Sequence, residues 1–447
     1  MPTVGVVRDD LFARMGYSYT AEELVEGGKA EKAFEDLCFE FGIELDDVTS
    51  EQEIVGKEQG EAAASELDDT VIYKIDIPAN RYDLLCIEGI TRSLRIFTEM
   101  EKAPTYRIVE PAGGAPRQVM RVHPSTQAIR PYVVCCVLRG MTFDDKVYKS
   151  FIDLQDKLHQ NVCRGRKLVA IGTHDFATVT GPFSYSAPAP EDISFVPLTE
   201  TERVFGGKEL LDHYKTDKGC KHLAPYVPII YDSPCYPVVK DANGVVMSLP
   251  PIINGRHSRI QLHTRDVFIE CTATDLTKAH IVLDTMVTMF SEHCAEPFTV
   301  EPVDVVYDEP VPNPGTGNAD DEAAMLSVET TPRLMQRTAE ATVEEITSIV
   351  GVDLTPEQIV TLCGKMQLGP AEYLPDVGPG QPGSGELRAK TKEPVKRGTV
   401  RVTVVRAVRC LLFFSLDLGS FPFFLVHSTH HSFHSLPPSL PPSLDAS

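Results

Sequence analysis

Val267-Phe268-Ile269-Glu270-Cys271 is an apolar run with one acid in it, and it leads through Thr272-Ala273-Thr274-Asp275 into a helical pattern. Ile281, Val282, Met286, Met289 and Phe290 form the inner face of that pattern, so the stretch reads as a buried strand feeding a capped helix. The same alternation extends outward on both sides. Tyr132 to Leu138, with Val133, Val134 and Val137, is a near-continuous apolar strand of the kind covered on both faces. A helix from about Lys149 carries Phe151, Leu154 and Leu158, and Leu168 to Ile171 is a short strand ending in Gly172-Thr173-His174-Asp175. Gly244 to Met247, the turn at Pro250-Pro251 and Ile252-Ile253-Asn254-Gly255 complete the set. Together they predict one mixed α/β domain over 115–304, of ordinary domain size.

Upstream, residues 1–103 read as a small α+β module. Thr20 and Glu23 offer a capping box for a helix through Phe34, Leu37, Cys38 and Phe41, stopped by Gly42, with Glu26-Gly27-Gly28-Lys29 as a surface insertion inside it. The acidic, Ala-rich run from Glu51 to Asp69 reads as a solvated loop. Val71 to Pro78 alternates as a strand and leads into a helix through Leu84, Leu85, Ile87, Ile90 and Leu94.

Downstream, 305–329 is a Pro/Gly/Asp linker and 330–404 an incomplete small acidic domain. Its best helix opens at Thr355-Pro356-Glu357-Gln358, with Thr355 as cap, Pro356 in the first helical position and Gln358 closing the box; Gly369-Pro370 stops it. Residues 405–447 turn into an apolar, then His/Ser-rich, then Leu-Pro-Pro-Ser repeat without helical or strand period. Such a tail is either a proline-rich interaction segment or translated non-coding sequence. The second is favoured, because Thr399 to Val404 reads as a strand that never receives its partner. The fold class is therefore multidomain α+β and mixed α/β, ending in an irregular tail.

The 447 residues carry 42 basic and 64 acidic side chains, a net charge of −22. Taken as a bulk value, this excludes a polyanionic partner, since phosphate binding depends on Lys and Arg. Its distribution removes the objection. Residues 1–70 hold 19 acids against 5 bases and residues 301–380 hold 15 against 3, leaving the middle close to neutral. Eleven cysteines lie scattered without metal-finger spacing, and no signal peptide opens the chain, which predicts a reducing, cytoplasmic setting. The longest apolar run, Cys410 to Val426, is interrupted by Asp417, Gly419 and Pro422, so no membrane span is expected.

Five stretches in register carry a family resemblance. They are Tyr73-Lys74-Ile75-Asp76-Ile77-Pro78-Ala79-Asn80-Arg81-Tyr82-Asp83-Leu84-Leu85, Leu158 to Arg164, Val169 to Asp175, Ser248 to Gly255 and Ile269 to Asp275. With Met1-Pro2-Thr3-Val4 and Phe39 to Leu45, they resemble the β subunit of cytosolic, archaeal/eukaryotic-type phenylalanine–tRNA ligases over residues 1 to about 304, more weakly to 404. The resemblance implies an (αβ)₂ heterotetramer that charges tRNA with phenylalanine using ATP and Mg²⁺, with the aminoacylation site on the α subunit. It also implies an editing domain, here 115–304, that hydrolyses mischarged tyrosyl-tRNA. The family continues past this chain's small domain, so the chain reads as truncated. No metal ligand is assigned, and neither ATP nor Mg²⁺ is expected on this chain alone. A second class stays open: a catalytically silent fragment that binds only protein or tRNA.

Editing is ester hydrolysis, which needs a positioned water, donors for the developing oxyanion and polar groups that recognise the tyrosine hydroxyl. Strand-end polar residues supply the candidates. Glu270 and Asp275 would orient the water or accept the hydroxyl; Ser248, Asn254, Thr272, Thr274 and Thr277 would line the pocket. Thr274-Asp275 equally makes a helix cap and Asn254-Gly255 a turn. Arg164, Arg166 and Lys167 form a basic cluster suited to tRNA backbone or to a solvated helix end. His174 is expected to hold a turn. His159 and Cys163 have the spacing of two metal ligands but no second pair, and Asn80, Arg81 and Asp83 are expected to lock a turn.

Overall fold

The computed structural model describes residues 2–50, 52–53, 70–314, 325–375 and 398–405. The run at 51–69 and the tail at 406–447 thus lie almost wholly outside the described residues.

The first module contains β1 (Thr3–Val7), α1 (Arg8–Met15), α2 (Lys29–Phe41), β2 (Glu44–Ser50), β3 (Val71–Asp76) and α3 (Ile87–Phe97). β3 lies between β1 and β2, antiparallel to both. Tyr73 and Ile75 face a core shared with Phe12, Phe34 and Phe41, as the alternation of β3 requires. The helix expected from Thr20 starts instead at Lys29. Glu23 does reach back to the Thr20 amide, at 3.1 Å, but Gly27 then takes a left-handed φ of 64° and ends the turn. Gly28 is the N-cap of α2, so the two glycines begin the helix and do not interrupt it. Arg81 and Asp83, expected to lock a turn, form a buried ion pair at 2.7 Å.

The middle of the chain begins with β4 (Arg107–Ile108), β5 (Gln118–Val122), β6 (Tyr132–Leu138), α4 (Asp145–Gln160), β7 (Val169–Asp175) and β8 (Phe183–Ser186). A subdomain with its own apolar core then adds β9 (Ser194–Phe195), β10 (Phe205–Gly206) and α5 (Gly207–Thr216). It is followed by β11 (Val238–Lys240), β12 (Val246–Leu249), β13 (Ile253–Asn254), β14 (Val267–Ala273), α6 (Leu276–Phe290), β15 (Thr299–Pro312) and β16 (Met325–Thr331). One sheet runs in the order β13-β12-β11-β8-β5-β15-β6-β14-β7, with β4 and β16 also paired to β15.

Every residue of β6, β7 and β14 is buried, which explains the near-continuous apolar run of β6 and leaves Glu270 and His174 as buried polar groups within the strands. α4 and α6 pack on one face of these strands. The opposite face meets the rest of the same sheet, which curls round so that the Phe268 ring of β14 packs, tilted, against Phe183 of β8 with centroids 4.3 Å apart. The two ends of the sheet, β13 and β7, are joined by a side chain: Asn254 Nδ2 donates to the Thr173 carbonyl at 3.3 Å.

The first module is tied to this body by charge. Glu292 accepts from both Arg14 and Arg92, and Ser150 donates to the buried Glu88 at 2.6 Å.

The last unit comprises β17 (Gln336–Thr342), α7 (Val343–Val350), α8 (Pro356–Lys365), β18 (Ala371–Leu374) and β19 (Thr399–Val405). The Thr355–Gln358 capping box forms in both directions. The strand expected to lack a partner has two: β19 lies between β17 and β18 and pairs antiparallel with each. Its partners precede it in sequence, so a search for a following hairpin strand could not find them. Among the described residues no helix is long and apolar enough to cross a membrane.

Candidate active site

A cleft of about 790 Å³ opens along the outer edge of β7, between α4 and the chain from Ser248 to His263. An edge strand leaves outward-pointing amides and carbonyls that need partners. Here single side chains and loop carbonyls satisfy them in place of another strand. His159 Nε2 accepts from the Ile171 amide at 2.9 Å, Asn254 holds the Thr173 carbonyl, and the Asp175 amide donates to the Ser258 carbonyl at 2.8 Å. The cleft is the space left where a further strand would lie.

Its floor is Glu270, which is 1% exposed. Glu270 sits on β14, directly across from Gly172 of β7. A Cβ at Gly172 would overlap Glu270 Oε1, so the glycine leaves the gap through which the carboxylate reaches the cleft. Ser248 Oγ donates to Oε1 at 2.7 Å. His174 Nε2 lies 3.8 Å from the same oxygen, and its Nδ1 bonds Ser258 Oγ at 2.8 Å. Among the described residues Glu270 Oε2 finds no hydrogen-bond partner, nor does His174 Nε2. Buried polar atoms are nearly always paired, so a half-satisfied carboxylate facing a cleft marks a place for a ligand's donor.

His174 therefore lies inside the strand and faces Glu270. The turn-holding role expected of it belongs to its neighbour: Asp175 accepts from the Ala177 amide at 3.1 Å and from Thr264 at 2.8 Å. His159, which has the spacing of a metal ligand with Cys163, has its Nε2 engaged by the Ile171 amide. Burial pushes its pKa down to about 4, and Arg166 adds to this, while Asp156 opposes.

Of the residues singled out in the sequence, His159, Arg166, Ser248, Asn254 and Glu270 line the cleft. The others are placed elsewhere. Asp275 caps α6, accepting from the Lys278 amide at 3.0 Å and pairing with the Lys278 ammonium. Thr274 is exposed and donates to the Lys167 carbonyl at 3.3 Å, Thr277 is half-buried in the first turn of α6, and Thr272 is fully buried with its hydroxyl unpaired among the described residues. The strand ends at Ala273, so Thr274, Asp275 and Thr277 follow the helix cap away from the cleft, while Thr272 remains within β14.

The basic cluster divides. Arg164 and Lys167 are exposed, whereas Arg166 lies over the Tyr226 ring at 4.3 Å and donates to the Ile252 carbonyl at 3.0 Å. Residues 164–166 all have positive φ, and the buried Arg130 guanidinium holds this loop by the Arg166 and Lys167 carbonyls. Gly172 and His159 were not among the sequence candidates for the pocket. A glycine inside an otherwise apolar strand is the signal that marks the first; nothing local marks the second.

Residues 1–100 match the family described as "Phe-tRNA synthetase beta subunit B1 domain", and residues 138–302 match the "B3/4 domain". The phenylalanine–tRNA ligase beta subunit of Drosophila melanogaster is 50% identical over 369 residues, covering 82% of this chain and 57% of that protein. The cytoplasmic beta subunit of Arabidopsis thaliana is 51% identical over 368 residues, covering 82% and 56%. The chain thus spans a little over half the length of these relatives. The crystal structure of an N-terminal fragment of the phenylalanyl-tRNA synthetase beta subunit from Pyrococcus horikoshii superposes with a TM-score of 0.68 at 26% identity, covering 93% of this chain and 97% of the fragment. On its two matched domains, its half-identical relatives and its fold, the chain belongs to the phenylalanine–tRNA ligase β-subunit family.

Proposed function

We propose that this chain supplies the editing part of a cytoplasmic phenylalanine–tRNA ligase, with residues 115–304 hydrolysing tyrosine wrongly esterified to tRNA. The observation that carries the reading is the Glu270 carboxylate, anchored at Oε1 by Ser248 and, among the described residues, unpaired at Oε2 on the floor of the cleft. Tyrosine differs from phenylalanine by one hydroxyl, and an acceptor at this depth recognises that difference. Phenylalanine would leave Oε2 buried without a donor, and such sites discriminate by about 10⁴–10⁵-fold. Asp275, already committed to its helix cap, has a structural part in this scheme. Arg166 and Arg259 line the cleft, and Arg164 and Lys167 stand exposed beside it, where the phosphates of a tRNA end would approach. Pairing with an α subunit, ATP and Mg²⁺ belong to the charging reaction of the complete ligase, and no ATP or Mg²⁺ ligand is proposed on this chain.

The test is deacylation of tyrosyl-tRNA and phenylalanyl-tRNA by the purified full chain. Tyrosyl-tRNA should be hydrolysed in preference, Glu270→Ala should abolish the preference, and Asp275→Ala should keep it if the fold is intact. Binding of tRNA with no hydrolysis of either ester, or discrimination that survives Glu270→Ala, would sink the reading.

A further inference from the structure

Outside the cleft floor, a second group of side chains has the chemistry of a metal centre. His213 lies in the last turn of α5, Asp217 terminates that helix and Cys220 follows in the next turn. One ligand atom from each lies within 4.8 Å of the other two. Glu200 enters from the preceding loop, with Oε1 3.8 Å from His213 Nε2, and Asp217 Oδ2 is 3.7 Å from the same nitrogen. These separations are too long for hydrogen bonds. They match the spacing of about 3.3–3.8 Å between neighbouring ligands on a tetrahedral ion with bonds of about 2.0–2.3 Å. His213 Nε2 is buried and has no hydrogen-bond partner among the described residues, although three acidic or thiol groups surround it. Asp217 is already oriented, because the Gly219 amide holds its other oxygen at 3.3 Å.

We propose that His213, Asp217 and Cys220 bind one divalent cation of the zinc class, with Glu200 standing beside His213. A mixed nitrogen, oxygen and thiolate set selects a borderline-soft ion over Mg²⁺ or Ca²⁺. Binding replaces the Cys220 thiol proton, which leaves to solvent, so the site changes no oxidation state. The ion would clamp the outer wall of the cleft. Leu198 stands two residues before Glu200, and His222 and Leu223 follow Cys220; all three line the cleft.

The test uses the full chain stripped with a chelator and titrated with Zn²⁺ and, separately, Co²⁺. One equivalent of Zn²⁺ should bind, and Co²⁺ should give a thiolate-to-metal absorption that Cys220→Ser removes. His213→Ala should weaken Zn²⁺ binding by at least about 10-fold. Asp217→Asn, which keeps the acceptor for the Gly219 amide, should weaken it similarly and guards against a folding defect in the other variants. Zn²⁺ binding no tighter than that of the Cys220→Ser/His213→Ala double variant, or a cobalt–thiolate signal that survives Cys220→Ser, overturns the proposal.

Discussion

Gly172 stands directly across the β7–β14 pair from Glu270, and its missing side chain is the space that the Glu270 carboxylate occupies. Gly172→Ala forces that carboxylate aside within a packed sheet, where overpacking costs about 1–3 kcal/mol. Urea unfolding should show the loss. Tyrosyl-tRNA hydrolysis should fall further than stability alone explains, measured at a denaturant-free temperature where the variant is still folded. Unchanged hydrolysis would mean that the carboxylate does not need this gap.

Ser248→Ala removes the hydroxyl that donates to Glu270 Oε1. A buried carboxylate that loses a charge-assisted hydrogen bond costs about 2 kcal/mol. Adding Glu270→Gln removes the charge that needed the donor, so the double variant should lose less than the two single losses combined. Chemical denaturation of all four proteins in the cycle measures this, and strict additivity would contradict it.

His159 titrates near 4 in the folded chain because burial disfavours the imidazolium and the Arg166 charge adds to this, against Asp156. In the unfolded chain a histidine takes its proton near 6.5. Between those values only the unfolded state binds the proton, so the stability from this residue is complete above about 6.5 and drains away as pH falls towards 4. The loss is about 3 kcal/mol. His159→Gln keeps an acceptor without titrating, and its unfolding free energy should fall less than that of the parent between pH 7 and pH 4.5. Equal slopes for the two proteins would count against the assignment.

Arg164 is exposed and left-handed, with φ of 49°. Non-glycine residues in that region pay roughly 1 kcal/mol, so Arg164→Gly should leave stability equal or raise it by up to about 1 kcal/mol. If Arg164 meets tRNA phosphate, the same variant should bind tRNA more weakly, and the slope of log affinity against log salt should fall by about 1. A stabilised variant with an unchanged salt slope would assign the arginine to solvent alone.

The parts of the fold that were legible in the sequence are those where a single force decides. Tyr132 to Leu138 and Val267 to Cys271 are buried on both faces, and their apolar runs, broken in the second only by Glu270, say so. Thr355, Pro356 and Gln358 encode a cap locally, and it forms. Where local and distant interactions compete, the sequence misleads. Thr20–Glu23 makes its hydrogen bond, but the helix waits for Lys29 because Gly27 turns the chain first. The partners of Thr399–Val405 lie upstream, beyond any hairpin distance. At the site, Ser248, Asn254 and Glu270 meet because the sheet curls until its two ends touch. Thr274, Asp275 and Thr277 are carried away by the strand-to-helix transition, while Thr272 stays in β14, buried and outside the cleft lining. Curvature is a property of the whole sheet, and no local pattern records it.

β15 is among the last strands of the central sheet to be made, yet it is an inner one. Val303 to Tyr307 pair with Gln118 to Val122 on one side, and Glu301 and Pro302 meet Val137 and Cys136 on the other. A chain emerging from the ribosome can therefore form β6, β7 and β14 early, and pair β5 with β8, but β15 is the strand that joins these two halves of the sheet, and it is encoded far downstream. Until residue 307 is free, the barrel-like curl cannot close and the cleft has no fixed shape. Such late, long-range pairing is slow to find and leaves strand edges exposed in the meantime. The interval before β15 docks is when this protein is most exposed to aggregation and to chaperones.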